Sequence, residues 1–466
     1  MPPREAPPQR QHHCAYKFQL CSIPSHDPSP KLSCKALFRV AGLGRHAYNH
    51  QMNERQTAPS SNPLDPLLLG EELVRLAESG DCTGVARLLS NSEISLASCS
   101  NAMDAAAKNG RASCVDVLIP ATPSKPLLFH ALCLAASNGH AECATLLIPA
   151  CDPKTDSSMA LRAAAYHGHP RCVAVLIPVS DPKDDNSDAL RLAAQNGHVE
   201  CVKLLAPFSD LEEDFTEALR WAAQNGHAEC LKHLIPLSDP EAYNSQALSW
   251  AAKYGYPECA RLLIPVSNPK ADESYALRWA ADNGHVECVR LLIPVCDPKA
   301  KGSEALTRAA RHGHAECVRL LLPVSTIENP ATLLCQAASG GYAECVELLI
   351  SRCDPKANNS RALREAARLG HAECVRLLIP FSHPLAECPS ILSQALAAGH
   401  AEVAAILIDC EPLLLDDGLL STSLSDAEIF GNTKITALLS SIVERRALSA
   451  AVPSTSRGPR SIANRL

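Results

Sequence analysis

Residues 186–214 read NSDALRLAAQNGHVECVKLLAPFSDLEED, and the punctuation of this stretch decides the fold. Ser187 stands where a helix N-cap belongs, because its hydroxyl is suited to the free N–H groups of a first turn. ALRLAAQN then reads as a short Ala-rich helix, and Gly197 ends it where the chain needs a left-handed residue. VECVKLLA reads as a second helix, with Cys201, Val202, Leu204 and Leu205 as its apolar residues, until Pro207 stops it. Two helices of about 8 to 10 residues are each roughly 12 to 15 Å long, too short to persist alone in water. They must lean on neighbours.

Repetition supplies the neighbours. Gly110, Gly139, Gly168, Gly197, Gly226, Gly255, Gly284 and Gly313 stand 29 residues apart, and Gly341, Gly370 and Gly399 follow after a one-residue deletion. Gly80 and Gly431 mark degenerate copies at either end, which makes about thirteen units. A fixed period of this size is the mark of a solenoid, in which each unit buries its apolar face only against the next. The resulting expectation is an all-α solenoid of about thirteen helix-turn-helix repeats over residues 63–446. A disordered basic segment at 1–62 and a disordered basic tail at 447–466 are expected to flank it.

Composition fits this reading. The chain is 46% hydrophobic but only 4% aromatic, so Ala and Leu must fill most of the core. Residues 1–62 hold 8 Lys/Arg against 3 Asp/Glu, and residues 445–466 hold 5 Arg and no acid. Each end is therefore +5, and with a total of −7 the body between them carries −17. An acidic body argues against nucleic acid as the main partner, since affinity for phosphate backbones needs concentrated positive charge. No apolar run is long enough for a membrane span, and MPPREAPPQRQHH lacks the apolar core of a secretory signal. The expected protein is a soluble, cytoplasmic monomer with reduced cysteines.

ALRLAAQNGHVECVKLL resembles the helix-turn-helix of the ankyrin repeat, over roughly residues 66–443. Two features depart from the family pattern. EALR, QALS or YALR replaces its Thr-Pro-Leu-His opening, and the period is about four residues shorter than 33. The loss falls in VSDPKADES and its relatives, where ankyrins carry a β-hairpin finger, so a tight turn is expected there. The resemblance implies a stack of antiparallel helix pairs with the first helices lining a concave face, and it implies protein binding rather than catalysis.

GHAEC at 226–230 raises the question of a metal or a nucleophile. His140, His169, His198, His227, His285, His314, His371 and His400 share one position, and Cys114, Cys143, Cys172, Cys201, Cys230, Cys259, Cys288, Cys317, Cys345 and Cys374 share another. Zinc holds two ligand atoms within about 4.6 Å of each other, whereas packed helices stand about 8 to 10 Å apart. One unit supplies only two of four ligands, and ten similar thiols give no unique catalytic constellation. The expectation is no metal, no cofactor and no catalytic residue: a buried Cys, and a His hydrogen-bonded to the backbone of the adjacent turn. Redox sensitivity is the competing reading. No P-loop, dinucleotide fingerprint, HExxH, GxSxG or kinase signature is present, which excludes the enzymes those motifs mark.

The expected partner-binding residues lie on the first helices. Trp221, Trp250 and Trp279 fill one position in consecutive units, a slot held by Ala163 and Leu192 before them and by Arg308, Gln336 and Glu365 after. They form either a binding patch or an aromatic ladder closing the core. The variable pair before each Gly joins them: Gln195 and Asn196, Gln224 and Asn225, Lys253 and Tyr254, Asp282 and Asn283, Arg311 and His312. Arg191, Arg220 and Arg278 complete the set, with intrahelical ion pairing as their alternative. The function expected is a non-enzymatic scaffold binding a partner protein. The alternative is a translocated effector or regulator, delivered into a host cell, whose flexible ends carry a delivery or recruitment signal while the repeats select the target.

Overall fold

The computed structural model describes residues 66–451 except 91–93, 210–211, 383, 411–419, 422–423, 426–427 and 429–432. The expected basic N-terminal segment, Gly431 and most of the C-terminal tail lie outside the described residues. All regular structure among the described residues is helical.

The helices come in pairs. The first four are α1 (Pro66–Ser79) with α2 (Cys82–Leu89), α3 (Leu96–Lys108) with α4 (Ala112–Leu118), α5 (Lys125–Ser137) with α6 (Ala141–Leu147), and α7 (Thr155–His167) with α8 (Pro170–Leu176). Next come α9 (Asp184–Gln195) with α10 (Val199–Leu205), α11 (Glu212–Gln224) with α12 (Ala228–Leu234), α13 (Ala242–Tyr254) with α14 (Pro257–Leu263), and α15 (Ala271–Asp282) with α16 (Val286–Leu292). The last four are α17 (Ala300–Arg311) with α18 (Ala315–Leu321), α19 (Pro330–Ser339) with α20 (Ala343–Ile350), α21 (Ala357–Leu369) with α22 (Ala372–Leu378), and α23 (Pro384–Ala397) with α24 (Ala401–Cys410). A final helix, α25 (Thr433–Ala451), continues five residues past the boundary at 446 expected from the sequence. No helix among the described residues is long and apolar enough to cross a membrane.

First helices pack on first helices and second on second, so two layers run the length of the stack. The core between them is built from two short patterns. First helices bury Ala, Leu, Ala, Ala, as at Ala218, Leu219, Ala222 and Ala223, and second helices bury Cys, an aliphatic residue and Leu, as at Cys230, Leu231 and Leu234. These spacings put four or three side chains on one stripe of each helix, and small Ala lets the layers approach closely. One hydrophobic cluster extends from Leu73 to Leu439.

The links between repeats explain the short period. After five of the second helices an Ile-Pro or Ala-Pro step makes a short 3-10 turn, as at Ile264–Val266 and Ala206–Phe208. A turn follows in which Asp or Asn accepts the N–H two residues on; Asp297 Oδ1 accepts from Lys299 N at 2.9 Å. Three consecutive residues then adopt positive φ before the right-handed helix begins. They are Asp156–Ser158, Tyr243–Ser245, Asp272–Ser274, Lys301–Ser303 and Asn358–Ser360, with φ from 45° to 65°. A single left-handed turn thus stands where the longer family repeat has its finger. It is strained, at about 1–2 kcal/mol for each residue that is not Gly, Asn or Asp.

The serine ending that turn is not the N-cap expected from the sequence. An N-cap has extended backbone and accepts from its own helix, but Ser274 has φ 60° and its Oγ accepts the N–H of Asp297, in the next repeat, at 2.8 Å. Ser158, Ser245 and Ser303 bind Asp181, Asn268 and Thr326 in the same way at 2.9 Å, and Thr216 binds Asp239 at 3.1 Å. Ser158 and Ser187 also donate to the next repeat's carboxylates, Asp184 at 3.1 Å and Asp214 at 2.7 Å. The column is a clasp between repeats.

A second column of hydrogen bonds crosses the stack at the helix-helix turns. In each of the eight histidines Nε2 donates to a carbonyl 32 residues earlier: His227 to Gln195 at 3.0 Å, His285 to Lys253 at 2.9 Å, His314 to Asp282 at 3.0 Å. The acceptor is always the residue two before the previous repeat's Gly, and the imidazole lies flat on that Gly. Tyr256 and Tyr342 put their rings in the same place, on Gly226 and Gly313.

Two of these histidines carry a pH dependence. Burial holds His227 and His285 below the ordinary imidazole pKa, against the opposing effect of their backbone hydrogen bonds; burial and neighbouring His169 and His198 lower His167 as well. The folded protein therefore stays neutral at these sites while the unfolded chain takes up protons below about pH 6.5. Stability is full above that pH and is lost as pH falls through it. His130, raised by its bond to Asp104, works in the opposite sense but is a single group. Thermal melts are expected to show a lower Tm at pH 5.5 than at pH 7.5, with the difference reduced in His227→Tyr/His285→Tyr. An unchanged difference in that variant would remove the histidine column from the account.

Candidate functional site: the first-helix face

The recurring thiols are sealed in the core. Cys230 is fully buried, and desolvation pushes its thiol to about 11; Cys172, Cys201, Cys288 and Cys317 are raised to about 11 and Cys259 to about 12, also chiefly by desolvation. Burial of this kind disfavours the thiolate that a nucleophile or a redox sensor uses. Among the described residues no three His, Cys, Asp or Glu side chains converge as a metal site requires. The column fills space, so Cys230→Val is expected to cost less than about 1.5 kcal/mol, as volume-conserving swaps do. Urea unfolding checks this, and a loss of several kcal/mol would restore a special role for the sulfur.

With Ala-Leu and Ala-Ala buried, five other positions of the first helices make up the face, one before Ala-Leu, two between the pairs and two after, although Asp188, Ser249 and Arg278 among them are themselves buried. The tryptophans occupy the second of the middle positions. Trp221, Trp250 and Trp279 are half-buried and stand outside the fully buried core. Trp221 and Trp250 meet edge to face, with centroids 6.2 Å apart. Cations cover the rings. Arg191 lies 5.6 Å from the Trp221 centroid and Arg220 lies 4.9 Å from that of Trp250, while Lys253 at 4.2 Å and Arg308 at 5.7 Å flank Trp279. Trp is the ring that attracts cations best, at about 0.5–2 kcal/mol per pair depending on desolvation. Tyr243, 61% exposed, takes the other side of Arg220 at 4.7 Å.

Carboxylates hold the same cations from behind. Arg191 pairs with Asp188, which also receives Arg162 at 3.2 Å, and Arg220 pairs with Glu217. Arg278 and Arg308 both reach Glu304 at 2.7 Å. Burial pushes Glu304 up, but the hydrogen bonds from Arg308 and Arg278 outweigh it and hold the carboxyl below its ordinary value. Asp282 closes the network with Arg308 at 3.6 Å and His312 at 3.3 Å.

The face differs in detail from the sequence expectation. Arg278 is only 3% exposed and is engaged by Glu304 and the Asp272 carbonyl. Asn196, Asn225 and Asn283 turn their amides back onto their own helices, donating to the carbonyls of Leu192, Trp221 and Trp279 at 2.8–2.9 Å. They cap helix ends. Gln195 accepts from Arg191 at 3.3 Å, and Gln224 lies half-buried with its Oε1 unpaired among the described residues. Lys253, Tyr254, Arg311 and His312 remain accessible, Tyr254 at 43%. Sequence reasoning missed Asp188, Glu217 and Glu304. The first two stand three residues before an Arg and Glu304 stands four before Arg308, spacings that place each pair together on a helix; only the reach of Glu304 to Arg278 in the previous repeat leaves no local signal.

No curated protein matches this chain. A family model for ankyrin repeats, three copies, matches residues 132–215, 209–272, 248–332 and 323–387. These overlapping matches run over more than half of the 466 residues, and they fall on the stacked helix pairs that carry the aromatic face. By that match and that architecture the chain belongs to the ankyrin repeat family.

Proposed function

We propose that the protein is a non-enzymatic scaffold that binds another protein through the first-helix face, as a monomer in a reducing compartment. One observation carries the reading: three tryptophans, half-buried and outside the core, stand in consecutive repeats with cations on them. Side chains needed only for packing would be enclosed, whereas large rings and arginines at a surface are the residues that dominate binding hot spots. Seventeen of the cysteines, from Cys82 to Cys374, are unpaired thiols, which supports the reducing compartment. Affinity purification with the full chain tests the reading, using Trp221→Ala/Trp250→Ala/Trp279→Ala as control. The wild type is expected to recover partner proteins that the variant loses while keeping the wild-type circular dichroism spectrum. Recovery of the same proteins by both would place binding elsewhere.

A further inference from the structure

The charge on the first-helix face runs against that of the body. On the eight first helices from α7 to α21 the five face positions hold ten Lys/Arg and five Asp/Glu, while residues 63–444 as a whole carry −17. The acidic excess lies mainly in the turns, as at Asp181, Asp184 and Asp185 or Glu212, Glu213 and Asp214, since the second-helix Glu229, Glu258, Glu287 and Glu316 are each matched by a Lys or Arg three residues on. The five acids on the face already hold arginines, so the surplus on it is cationic. Four of its cations have no carboxylate against them among the described residues. They are Lys253, which rests on Trp279, Arg311 and Arg361, both exposed, and Arg364, which donates to the Asn358 carbonyl at 3.3 Å.

Beyond the tryptophans the same slot holds Gln336, at a depression of about 490 Å³ between α19 and α21. Thr332, Cys335 and Ser339 form one wall, and Asn358, Arg361, Arg368 and Glu365, whose carboxylate holds Arg368, form the other.

We propose that the segment of the partner held on this face is an extended acidic peptide. Its carboxylates lie over Lys253, Arg311 and Arg361, and its apolar atoms lie on the tryptophan rings. The proposal rests on the binding reading above. From α11 to α21 there are five steps of about 8–10 Å between packed helices, which an extended chain at about 3.3 Å per residue spans with roughly 14 residues.

The chain has three Trp, all in this slot, so its intrinsic fluorescence reports on the face directly. The full chain is titrated with a 14-residue peptide of alternating Glu and Thr, with its Gln–Thr and Lys–Thr counterparts, and with a 14-nucleotide oligo-dT. The Glu–Thr peptide is expected to shift tryptophan emission, to bind at least tenfold more tightly than Gln–Thr, and to weaken with salt. Lys253→Gln/Arg311→Gln/Arg361→Gln, which breaks no internal ion pair, is expected to lose at least tenfold with an unchanged melt. Equal binding of Gln–Thr, tighter binding of oligo-dT, or no response to Glu–Thr overturns the acidic peptide and leaves the face open to another protein segment. Labelled Glu–Thr peptide that binds without moving the emission, and binds the triple Trp variant equally, overturns the face itself.

Discussion

Gly284→Ala is expected to destabilise the protein by about 3 kcal/mol. The residue has φ +73°, where an L side chain carries a penalty of about 1–2 kcal/mol. An added Cβ would also lie 2.4 Å from His314 Nδ1, so the imidazole must leave its place over the turn. Its Nε2 bond to the Asp282 carbonyl at 3.0 Å goes with it, at about 1 kcal/mol, together with ring packing. The two effects separate in a double-mutant cycle. His314→Ala alone loses the bond and the packing, but in Gly284→Ala/His314→Ala nothing remains for the Cβ to strike. The double variant should therefore be more stable than the sum of the single losses by at least about 1 kcal/mol. Urea unfolding followed by circular dichroism measures all four proteins. Strict additivity, or a loss below about 1 kcal/mol for Gly284→Ala, would show that the ring does not lock this turn.

That prediction depends on a relation between residues about 30 positions apart, and the same distinction governs how much of the structure is legible in the sequence. Local punctuation reads well. Gly197 and Gly284 end first helices, prolines such as Pro207 and Pro265 follow second helices, and Ala-Leu with Ala-Ala marks the buried stripe. Each is decided within one turn by backbone geometry or by the stripe the core requires. What the sequence hides is which repeat a polar side chain serves. Ser274 looks like a cap for its own helix because Ser before an apolar run usually is one. Its left-handed backbone instead aims the hydroxyl at Asp297. Asn283 looks like a surface residue beside Asp282, yet its amide reaches back one helical turn to Trp279. On the first-helix face, the repeated Trp slot is visible as a column, but its depth is not. Whether a ring in that slot is core or surface depends on how closely neighbouring first helices approach, and the alternation of Trp, Arg, Gln and Glu in the column is the only trace of that distance.

The serine column is the place where the two readings of one residue give different measurable results. Ser274→Ala is expected to cost about 2 kcal/mol, because the Asp297 N–H, part-buried and held at 2.8 Å, is left without its acceptor. Ala also keeps the left-handed penalty without any compensating bond. Ser274→Gly loses the same bond but relieves the backbone at φ 60°, so it should cost about 1 kcal/mol less than Ala. An ordinary N-cap would give the same order, so stability alone does not decide between a clasp and a cap. Amide exchange does. A cap protects the first amides of its own helix, which here means Ala276 and Leu277. The clasp protects Asp297 at the start of the next repeat. In Ser274→Ala the Asp297 amide is expected to exchange at least tenfold faster while Ala276 and Leu277 keep nearly their wild-type rates. The reverse pattern would return the serine to its own helix and leave the left-handed turn without a partner across the repeat boundary. If the clasp holds, it explains how a repeat can lose its finger: the contact between neighbouring repeats passes to one hydroxyl and one amide, at the cost of three residues held in a conformation they would not choose alone.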